Sequence, residues 1–378
     1  MNKILIFVWM VAVGTNFLAP ISDVVPYQGL CCLIGLIYFL GIYRRQFFKL
    51  IHIRLYQVWL IGLLMPLILM IVSERDFLRA DYTNLIVVLF VFVTSSLIGT
   101  VGKNVNVIIT SALTIGLISV SLNIYEFIVE NNVWSTAPGR SAGFFINPNR
   151  ASQAIIIFSL VYLAWKNRKF YFFDFFFILM VLFGTIVTFS RSGIMILLLT
   201  IALFYIWKYN VNWKTITGML LILSLLITFQ NVLLNSYLED DVRYRLISLL
   251  EGGVQSDFEE ERGSIALESY YIALESPITG VGVGSTKKMD VGAHNTFISI
   301  FLDYGILGLI FYLFTIIGVV VGIYKNDNEQ MFFAKLFLAW FLLFNFFTHN
   351  MLEDTVMILA FGLAVSKILF FRVNSVLA

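Results

Sequence analysis

Residues 304–324 read YGILGLIFYLFTIIGVVVGIY, and none of these consecutive side chains carries a charge. A helix of about 20 apolar residues crosses the hydrocarbon core of a bilayer. Similar apolar stretches recur along the chain and predict twelve membrane spans. They lie near residues 4–20, 27–43, 56–73, 83–101, 105–128, 151–165, 171–189, 192–207, 215–233, 294–323, 336–348 and 353–371. The sequence therefore predicts an all-α integral membrane protein.

The composition agrees with this fold class and excludes most soluble enzymes. Of the 378 residues, 60% are hydrophobic and 13% are charged, whereas ordinary globular domains are roughly 45–50% apolar and about 25% charged. The apolar runs are also too long and uniform for the alternating strands of an outer-membrane barrel. Cys31 and Cys32 are adjacent in an apolar run and lack metal-ligand spacing, so we interpret them as small buried residues.

One polar segment interrupts the apolar pattern, from Leu234 to Ala293. We predict a single integrated membrane domain in three parts. Nine spans lie within residues 1–233, an extracytoplasmic loop with short helices covers 234–293, and three spans lie within 294–378. The first span follows Lys3 and has no small-residue cleavage site after it, so we expect it to be retained rather than removed as a signal peptide.

The distribution of basic residues predicts the orientation, because Lys and Arg in short loops are retained on the cytoplasmic side. With the amino terminus inside, 15 of the 25 basic residues and 3 of the 23 acidic residues lie on that side. The inner basic residues are Lys3, Arg44, Arg45, Lys49, Arg54, Lys103, Lys166, Arg168, Lys169, Lys208, Lys214, Lys325, Lys335, Lys367 and Arg372. Both termini are therefore predicted to be cytoplasmic, and the polar segment to be extracytoplasmic.

Several of the remaining basic residues lie in unusual local sequences on the predicted outer side. Four segments stand out: GRSAGFFINPN from Gly139, FSRSG from Phe189, ESPITGVGVG from Glu275, and HNTFISIFLDYGILG from His294. Arg140, Arg150, Arg191 and Arg262 lie within or beside them. These segments are the candidates for chemistry.

Spans that run from outside to inside present their helix amino termini to the outer face. Such a terminus carries unpaired N–H groups and roughly half a positive charge, and anions bind there readily. Arg150, Arg191 and His294 lie at three of these predicted termini. Arginine beside a helix amino terminus suits a phosphate or diphosphate, so we predict an outward-facing anion site.

Simpler interpretations of the same residues stay open. Arg140, Arg150 or Arg191 could extend toward lipid headgroups. The glycines from Gly280 to Gly284 follow no strand and lack a P-loop lysine, which favours a turn with close backbone approach over a phosphate cradle. His349 could join the site or cap a helix.

The four segments, in this order and on one predicted face, resemble those of the bacterial O-antigen polymerase and O-antigen ligase family. The resemblance covers residues from about 138 to 310, and its most specific part is His294-Asn295 followed by Gly305 and Gly308. It implies a glycosyltransferase with a GT-C-like membrane fold. Such an enzyme transfers glycans from undecaprenyl diphosphate outside the cytoplasmic membrane, without a nucleotide sugar, cofactor or required metal.

The resemblance also implies roles for individual residues. Arg191 and Arg262 are expected to bind the diphosphate with help from Arg140 and Arg150, and His294 is expected to act as general base. Further substrate-binding candidates are Asn149, Asn295, Gly282, Gly284 and His349. Carboxylates that could hold sugar hydroxyls or orient His294 are Glu268, Asp303, Glu353 and Asp354.

The exact activity depends on the acceptor. Polymerases extend a lipid-linked glycan, ligases transfer the finished glycan to lipid A core, and relatives that glycosylate surface proteins use a protein hydroxyl. A polymerase is favoured, because the extracytoplasmic segment is compact and no further soluble module that would recruit a protein acceptor is evident; a ligase is the alternative. A transporter or flippase of anionic substrates is the alternative of another class, but it would require ionisable groups near the bilayer midplane. The expected partners are the lipid-linked donor, a glycan acceptor and membrane lipid, without nucleic acid; a chain-length regulator and a flippase stay open.

Overall fold

The computed structural model describes residues 2–18, 27–72, 79–129, 133–137, 139–166, 172–209, 255–285, 295–326, 331–348 and 351–375. Within these ranges all regular structure is helical. The α-helices are α1 (Asn2–Gly14), α2 (Tyr27–Ile42), α3 (Arg44–Ile51), α4 (Arg54–Val72), α5 (Arg79–Thr100), α6 (Val105–Val129), α7 (Pro148–Trp165), α8 (Phe172–Ile186), α9 (Arg191–Tyr209), α10 (Gln255–Ala273), α11 (Thr296–Lys325), α12 (Phe332–Asn345) and α13 (Thr355–Ser375). Short 3-10 helices lie at Gly102–Asn104, Gly143–Phe145 and Met351–Glu353.

The helices show a multi-pass membrane protein. Among the described residues, four are long and apolar enough to cross a bilayer, at Thr83–Thr100, Gly102–Val129, Arg191–Lys208 and Thr296–Lys325. The pair α2–α3, which is bent by 95°, would count as a fifth span only if the two helices formed one broken span. Shorter apolar helices occupy the positions of other predicted spans. The predicted ninth span, 215–233, and most of the predicted loop lie outside the described residues, so the total of twelve spans stays a prediction.

Small residues allow α5 and α13 to pack closely. An added Cβ at Gly99 would lie 2.0 Å from Ser366 Oγ, and one at Gly362 would lie 1.9 Å from Ser95 Oγ. The serine hydroxyls meanwhile donate within their own helices, Ser95 to Val91 O and Ser366 to Leu363 O. Close backbone approach between small residues drives helix association in lipid, where apolar side chains gain little from contact with each other.

Contacts among helix ends divide the bundle into two ends. At the first, which we call the Arg150 end, Arg150 pairs with Asp354, Asn84 donates to the carbonyl of Glu353, and Gln28 donates to Thr355 Oγ1. These contacts join the starts of α2, α5, α7 and α13. The sequence predicts all four helix starts on the outer side. Their contacts with one another agree with spans that alternate in direction.

At the opposite end, which we call the Lys166 end, Lys166 pairs with Asp174 at 2.6 Å. Asn326 Nδ2 donates to the carbonyl of Ile368 at 3.4 Å, which joins the end of α11 to α13. The ends of α7, α11 and α13 are predicted to be cytoplasmic. Which end faces the cytoplasm is not shown by these contacts and stays a prediction.

The two cysteines carry no disulfide. Both are free; Cys32 is fully buried and Cys31 is partly exposed. Both lie in the apolar helix α2, and their interpretation as small buried residues is confirmed for Cys32 but not for Cys31.

Candidate functional site

Helix α7 begins with a fixed turn. Asn147 caps the helix, because its Oδ1 accepts the N–H groups of Asn149 at 2.9 Å and Arg150 at 3.4 Å. Pro148 occupies the first helical position, where its missing N–H costs nothing and its fixed φ suits the helix. Ile146 before the cap has a φ of 65°, an uncommon conformation for a branched residue. The turn therefore fixes the positions of Asn149 and Arg150 at the Arg150 end.

Arg140 connects two of the sequence segments that suggested the site. Its Nε donates to the carbonyl of Thr188 at 3.0 Å, and its Nη2 donates to Asn149 Oδ1 at 3.0 Å. The backbone N–H of Ser141 also donates to the carbonyl of Val187 at 3.2 Å. These bonds join the segment from Gly139 to the turn before α9. The sequence predicts the two only as separate loops.

Buried Glu126 near the end of α6 holds this loop in shape. Its Oε1 accepts the N–H groups of Trp134 and Ser135 at 2.9 and 2.7 Å. Its Oε2 accepts those of Ala142 and Gly143 at 2.7 and 2.8 Å. The sequence reasoning missed this residue, although a single carboxylate near the outer end of an apolar span was the available signal. Glu126 thus fixes the chain on both sides of Arg140.

Replacing Glu126 by glutamine is expected to destabilise the loop. The amide NH2 of glutamine would face two N–H donors that now meet a carboxylate oxygen. Leaving two buried donors unsatisfied reduces the free energy of unfolding by about 3 kcal/mol. Chemical denaturation in detergent micelles measures this change, with Glu275→Gln as the matched control, because Glu275 is exposed. Equal unfolding free energies for the two variants would contradict the role of Glu126.

Helix α9 begins beside α7 with Arg191 as its first residue. Ser190 caps it, since its Oγ accepts the N–H of Gly193 at 3.2 Å. An added Cβ at Gly193 would lie 2.5 Å from Ser152 Oγ, so the first turn of α9 packs directly against α7. The Arg191 side chain is exposed. The predicted position of Arg191 at a helix amino terminus at this end is therefore observed.

Arg150 forms an ion pair across the bundle. Its Nε lies 2.6 Å from Asp354 Oδ2, and the two side chains are 41% and 11% exposed. Asp354 also caps α13, because its Oδ1 accepts the N–H of Val356 at 2.9 Å. This pair joins the starts of α7 and α13. Since Arg150 already has an anionic partner, its expected role beside a diphosphate stays a prediction.

The glycine-rich segment after α10 enters a break in α11. Gly305 has φ 64° and ψ −163°, which interrupts the helix. Three backbone hydrogen bonds join the inserted segment to α11 at the interruption: Val281 N donates to Leu302 O at 2.8 Å, Ile306 N donates to Pro277 O at 2.8 Å, and Leu307 N donates to Ile278 O at 3.3 Å. The segment thereby supplies partners for backbone groups that the break releases.

Close backbone approach explains two of the glycines. An added Cβ at Gly280 would lie 2.5 Å from Asp303 C, and one at Gly305 would lie 2.4 Å from Ile278 O. The interpretation of this segment as a turn with close backbone approach is therefore confirmed at Gly280. Gly282 and Gly284 are buried with φ of 126° and 75°, and their expected contact with substrate stays a prediction.

Replacing Gly280 by alanine is expected to expel this segment from α11. The added methyl group would meet backbone atoms, and alanine at φ 78° is strained. We expect a lower thermal unfolding midpoint, measured in detergent micelles. Gly41→Ala is the matched control, because nothing lies within 4 Å of its added Cβ and alanine favours a helix over glycine. An unchanged midpoint in Gly280→Ala would show that the insertion contributes nothing.

The candidate carboxylates differ in their surroundings. Asp354 forms the ion pair with Arg150 and caps α13. Glu353 is 9% exposed and accepts a hydrogen bond from Tyr304 OH at 2.9 Å. Asp303 is 1% exposed, whereas Glu268 is exposed. Among the described residues no group of three or more His, Cys, Asp or Glu could hold a metal ion.

The remaining candidates are placed only in part. Asn295 caps α11, because its Oδ1 accepts the N–H groups of Phe297 at 2.9 Å and Ile298 at 3.2 Å. His294, directly before this cap, and His349 lie outside the described residues. Arg262 belongs to α10, but its side chain also lies outside the described part. That these residues lie close to Arg191 is therefore a proposal.

The described geometry can attract an anion. The starts of α7 and α9 are adjacent, and the ion pair of Arg150 with Asp354 brings the start of α13 to the same end. Tyr304, directly before the break in α11, donates to Glu353 just before α13. Arg140 and Arg191 add two formal positive charges there, whereas the charge of Arg150 is paired with that of Asp354. Aligned helix amino termini and guanidinium groups favour phosphate-like ligands.

Comparison with known proteins finds one family model that matches part of the chain. Residues 175–313 match a family model described as O-antigen ligase. No curated protein matches the chain significantly. The matched region runs from α8 into α11 and contains Arg191, the inserted glycine-rich segment and Asn295. The resemblance to the O-antigen polymerase and ligase family is thereby confirmed for this region; the segment from Gly139 lies before it.

Proposed function

We propose that this chain, of which residues 175–313 match a family model described as O-antigen ligase, joins lipid-linked oligosaccharide repeat units into a polysaccharide. The family supports a glycosyltransferase acting on lipid-linked glycans in a membrane. In our proposal the donor is held on undecaprenyl diphosphate, and the reaction takes place at the outer face of the cytoplasmic membrane. The product is O-antigen or capsular polysaccharide.

The observation that carries this proposal is the bridge made by Arg140. It joins the start of α7, through Asn149, to the turn directly before Arg191. A diphosphate leaving group is already anionic, so its departure needs positive charge more than a proton donor. Preorganised cations and N–H dipoles stabilise such a charge without reorganising during the reaction.

The chemistry proposed at this site is a direct displacement. The acceptor hydroxyl oxygen attacks the anomeric carbon, the bond from that carbon to the diphosphate oxygen breaks, and the carrier lipid leaves with its diphosphate. His294 accepts the hydroxyl proton, and Arg191 and Arg262 bind the departing diphosphate. Attack from the face opposite the diphosphate inverts the sugar carbon, and the step includes no metal ion. Asn149, Asn295, Gly282, Gly284 and His349 contribute substrate contacts.

The proposed orientation gives a reporter prediction. The Arg150 end is proposed to face outward, with both termini and the Lys166 end in the cytoplasm. A periplasm-active reporter fused after Asp257 should be active, and one fused after Asn210 should be silent. Matched fusion levels on immunoblots are the control. The reverse pattern would invert the topology and remove the site from the outer face.

The choice of polymerase rests on the segment between Leu234 and Ala293. At about sixty residues it offers little room for a separately folded module that would recognise a large second acceptor. The description of the matching family as a ligase favours the second candidate, transfer of finished glycan to lipid A core. The two candidates share the donor site and differ in the acceptor.

A deletion strain separates these activities. With a polymerase removed, an envelope glycan gel should show single repeat units on the core or carrier and no long chains. With a ligase removed, full-length polymer should accumulate on the carrier lipid. We expect the first pattern, restored to long chains by the wild-type gene on a plasmid. The second pattern would replace polymerase by ligase, and an unchanged gel would exclude both.

A further inference from the structure

The first inward-facing connection of the bundle is a short helix set across the end of α2. The sequence predicts a basic loop there, whereas the structure has α3, bent by 95° from α2. Tyr43 fixes the elbow: its side chain is 3% exposed, and Asn104 Nδ2 donates to its hydroxyl at 3.1 Å. Asn104 Nδ2 also donates to the carbonyl of Ile98 at 3.0 Å. The direction of α3 is therefore set by the α5–α6 connection.

The side chains of α3 separate into a packed side and an exposed side. Leu50 is fully buried, and Phe47 and Ile51 pack against the core. Arg44, Arg45 and Phe48 are exposed, and the guanidinium of Arg44 lies 5.7 Å from the centre of the Phe48 ring. An exposed aromatic ring between basic residues, on a helix lying across a bundle end, is typical of the membrane interface.

Lys49 differs from the other basic residues of α3. Its Nζ is buried, and within the described part of the chain it has no hydrogen-bond partner. The described elements that pack most closely against α3 are α2, α4, α5 and α13. The sequences of α2, α3, α4 and α13 contain no Asp or Glu, and α5 has only Asp81, at its opposite end. No carboxylate of these elements can therefore neutralise Lys49.

A buried ammonium without a partner is costly, and an anion from outside the protein would satisfy it. Arg45 lies four positions before Lys49, which places the two on neighbouring turns of one helix face. A phosphate beside them would gain two charge-assisted contacts, while the Phe48 ring beside it suits acyl chains. A phospholipid supplies both groups in one molecule.

We propose that α3 binds the headgroup phosphate of an anionic phospholipid at the Lys166 end of the bundle. Arg45 contacts the phosphate, the Lys49 side chain turns outward from its buried position to reach the same phosphate, and Phe48 packs against the acyl chains. The site is independent of the proposed glycan chemistry, because it lies at the end opposite Arg191. Its occupant comes from the surrounding bilayer.

The test is native mass spectrometry of the full chain from micelles with equal amounts of phosphatidylglycerol and phosphatidylcholine. Wild type should retain phosphatidylglycerol preferentially. Lys49→Met keeps the length and apolar stem of the side chain but removes its charge, and should reduce this retention about fivefold. Lys49→Arg should retain most of it. Lys3→Met is the matched control, because Lys3 is an exposed lysine predicted on the same side.

Two results would overturn the proposal. The first is a retention pattern without specificity for Lys49. Either wild type and Lys49→Met retain phosphatidylglycerol equally, or Lys3→Met loses as much as Lys49→Met, and the latter would indicate only general surface charge. The second is an increase in the thermal unfolding midpoint with inorganic phosphate that equals the increase with phosphatidylglycerol, which would identify a soluble anion as the ligand. None of these measurements depends on glycan synthesis.

Discussion

Replacing Arg191 by alanine is expected to abolish long-chain glycan while leaving the protein level and membrane insertion unchanged. Arg191 begins α9, where the helix amino terminus and Arg140 already favour an anion. Removal of one preorganised group that stabilises charge in a transition state typically costs about 100-fold to 1,000-fold in rate. Glycan ladders from a complemented deletion strain measure the effect, with immunoblots of the membrane fraction to show equal protein.

Two further variants make the Arg191 result specific. Arg191→Lys keeps the charge but loses the planar fork that binds two phosphate oxygens, so it should restore only a small part of the activity. Lys325→Ala removes an exposed positive charge at the Lys166 end and should leave the ladder unchanged. A normal ladder in Arg191→Ala would remove this residue from the mechanism.

Replacing His294 by alanine is the second change with a large expected effect. A positioned general base contributes about 100-fold to 10,000-fold to a reaction rate. His294 directly precedes Asn295, whose capping of α11 fixes the backbone at that point. We therefore expect loss of long-chain glycan at an unchanged protein level, measured on the same gels.

The matched control for His294 is His52→Ala. His52 is an exposed histidine at the end of α3, on the predicted cytoplasmic side. Its replacement should leave the ladder intact. Wild-type chain lengths in His294→Ala would show that another group takes the proton from the hydroxyl of the acceptor sugar.

The helix starts of the site were predicted closely, because Arg150, Arg191 and His294 were expected at helix amino termini, and α7, α9 and α11 begin at Pro148, Arg191 and Thr296. Asn147 before Pro148, Ser190 before Arg191, and Asn295 before an apolar run are each a capping residue ahead of a helix, and all three accept hydrogen bonds from the following turn. These features depend on residues within a few positions of each other. Sequence periodicity and capping chemistry are therefore sufficient to predict them.

Features that depend on distant residues were not predictable in the same way. The partner of Arg150 is Asp354, 204 positions later, and nothing local in either sequence indicates the pair. The glycines near Gly280 indicated close backbone approach, but not that the approached segment is the break at Gly305. Likewise, Glu126 binds a loop that begins several residues after its own helix ends.

The basic segment after α2 shows a different limit of prediction from sequence. Its charges suggested a loop between spans, yet the short run of apolar residues among them forms one face of α3. Eight residues are too few to form a stable isolated helix. The helix exists because Leu50 is buried and Tyr43 fixes the elbow, and both of these depend on tertiary packing.

Transfer from a lipid diphosphate at the Arg150 end is tested most directly with purified protein in nanodiscs. The substrate is carrier-linked repeat unit extracted from the deletion strain, and the measurement is product length together with released undecaprenyl diphosphate. We expect a ladder of products with one molecule of undecaprenyl diphosphate released per new linkage. In Arg191→Ala the rates of product formation and of undecaprenyl diphosphate release should both fall by at least about 100-fold. A ladder formed at the wild-type rate by Arg191→Ala, or no diphosphate release by the wild type, would contradict this expectation.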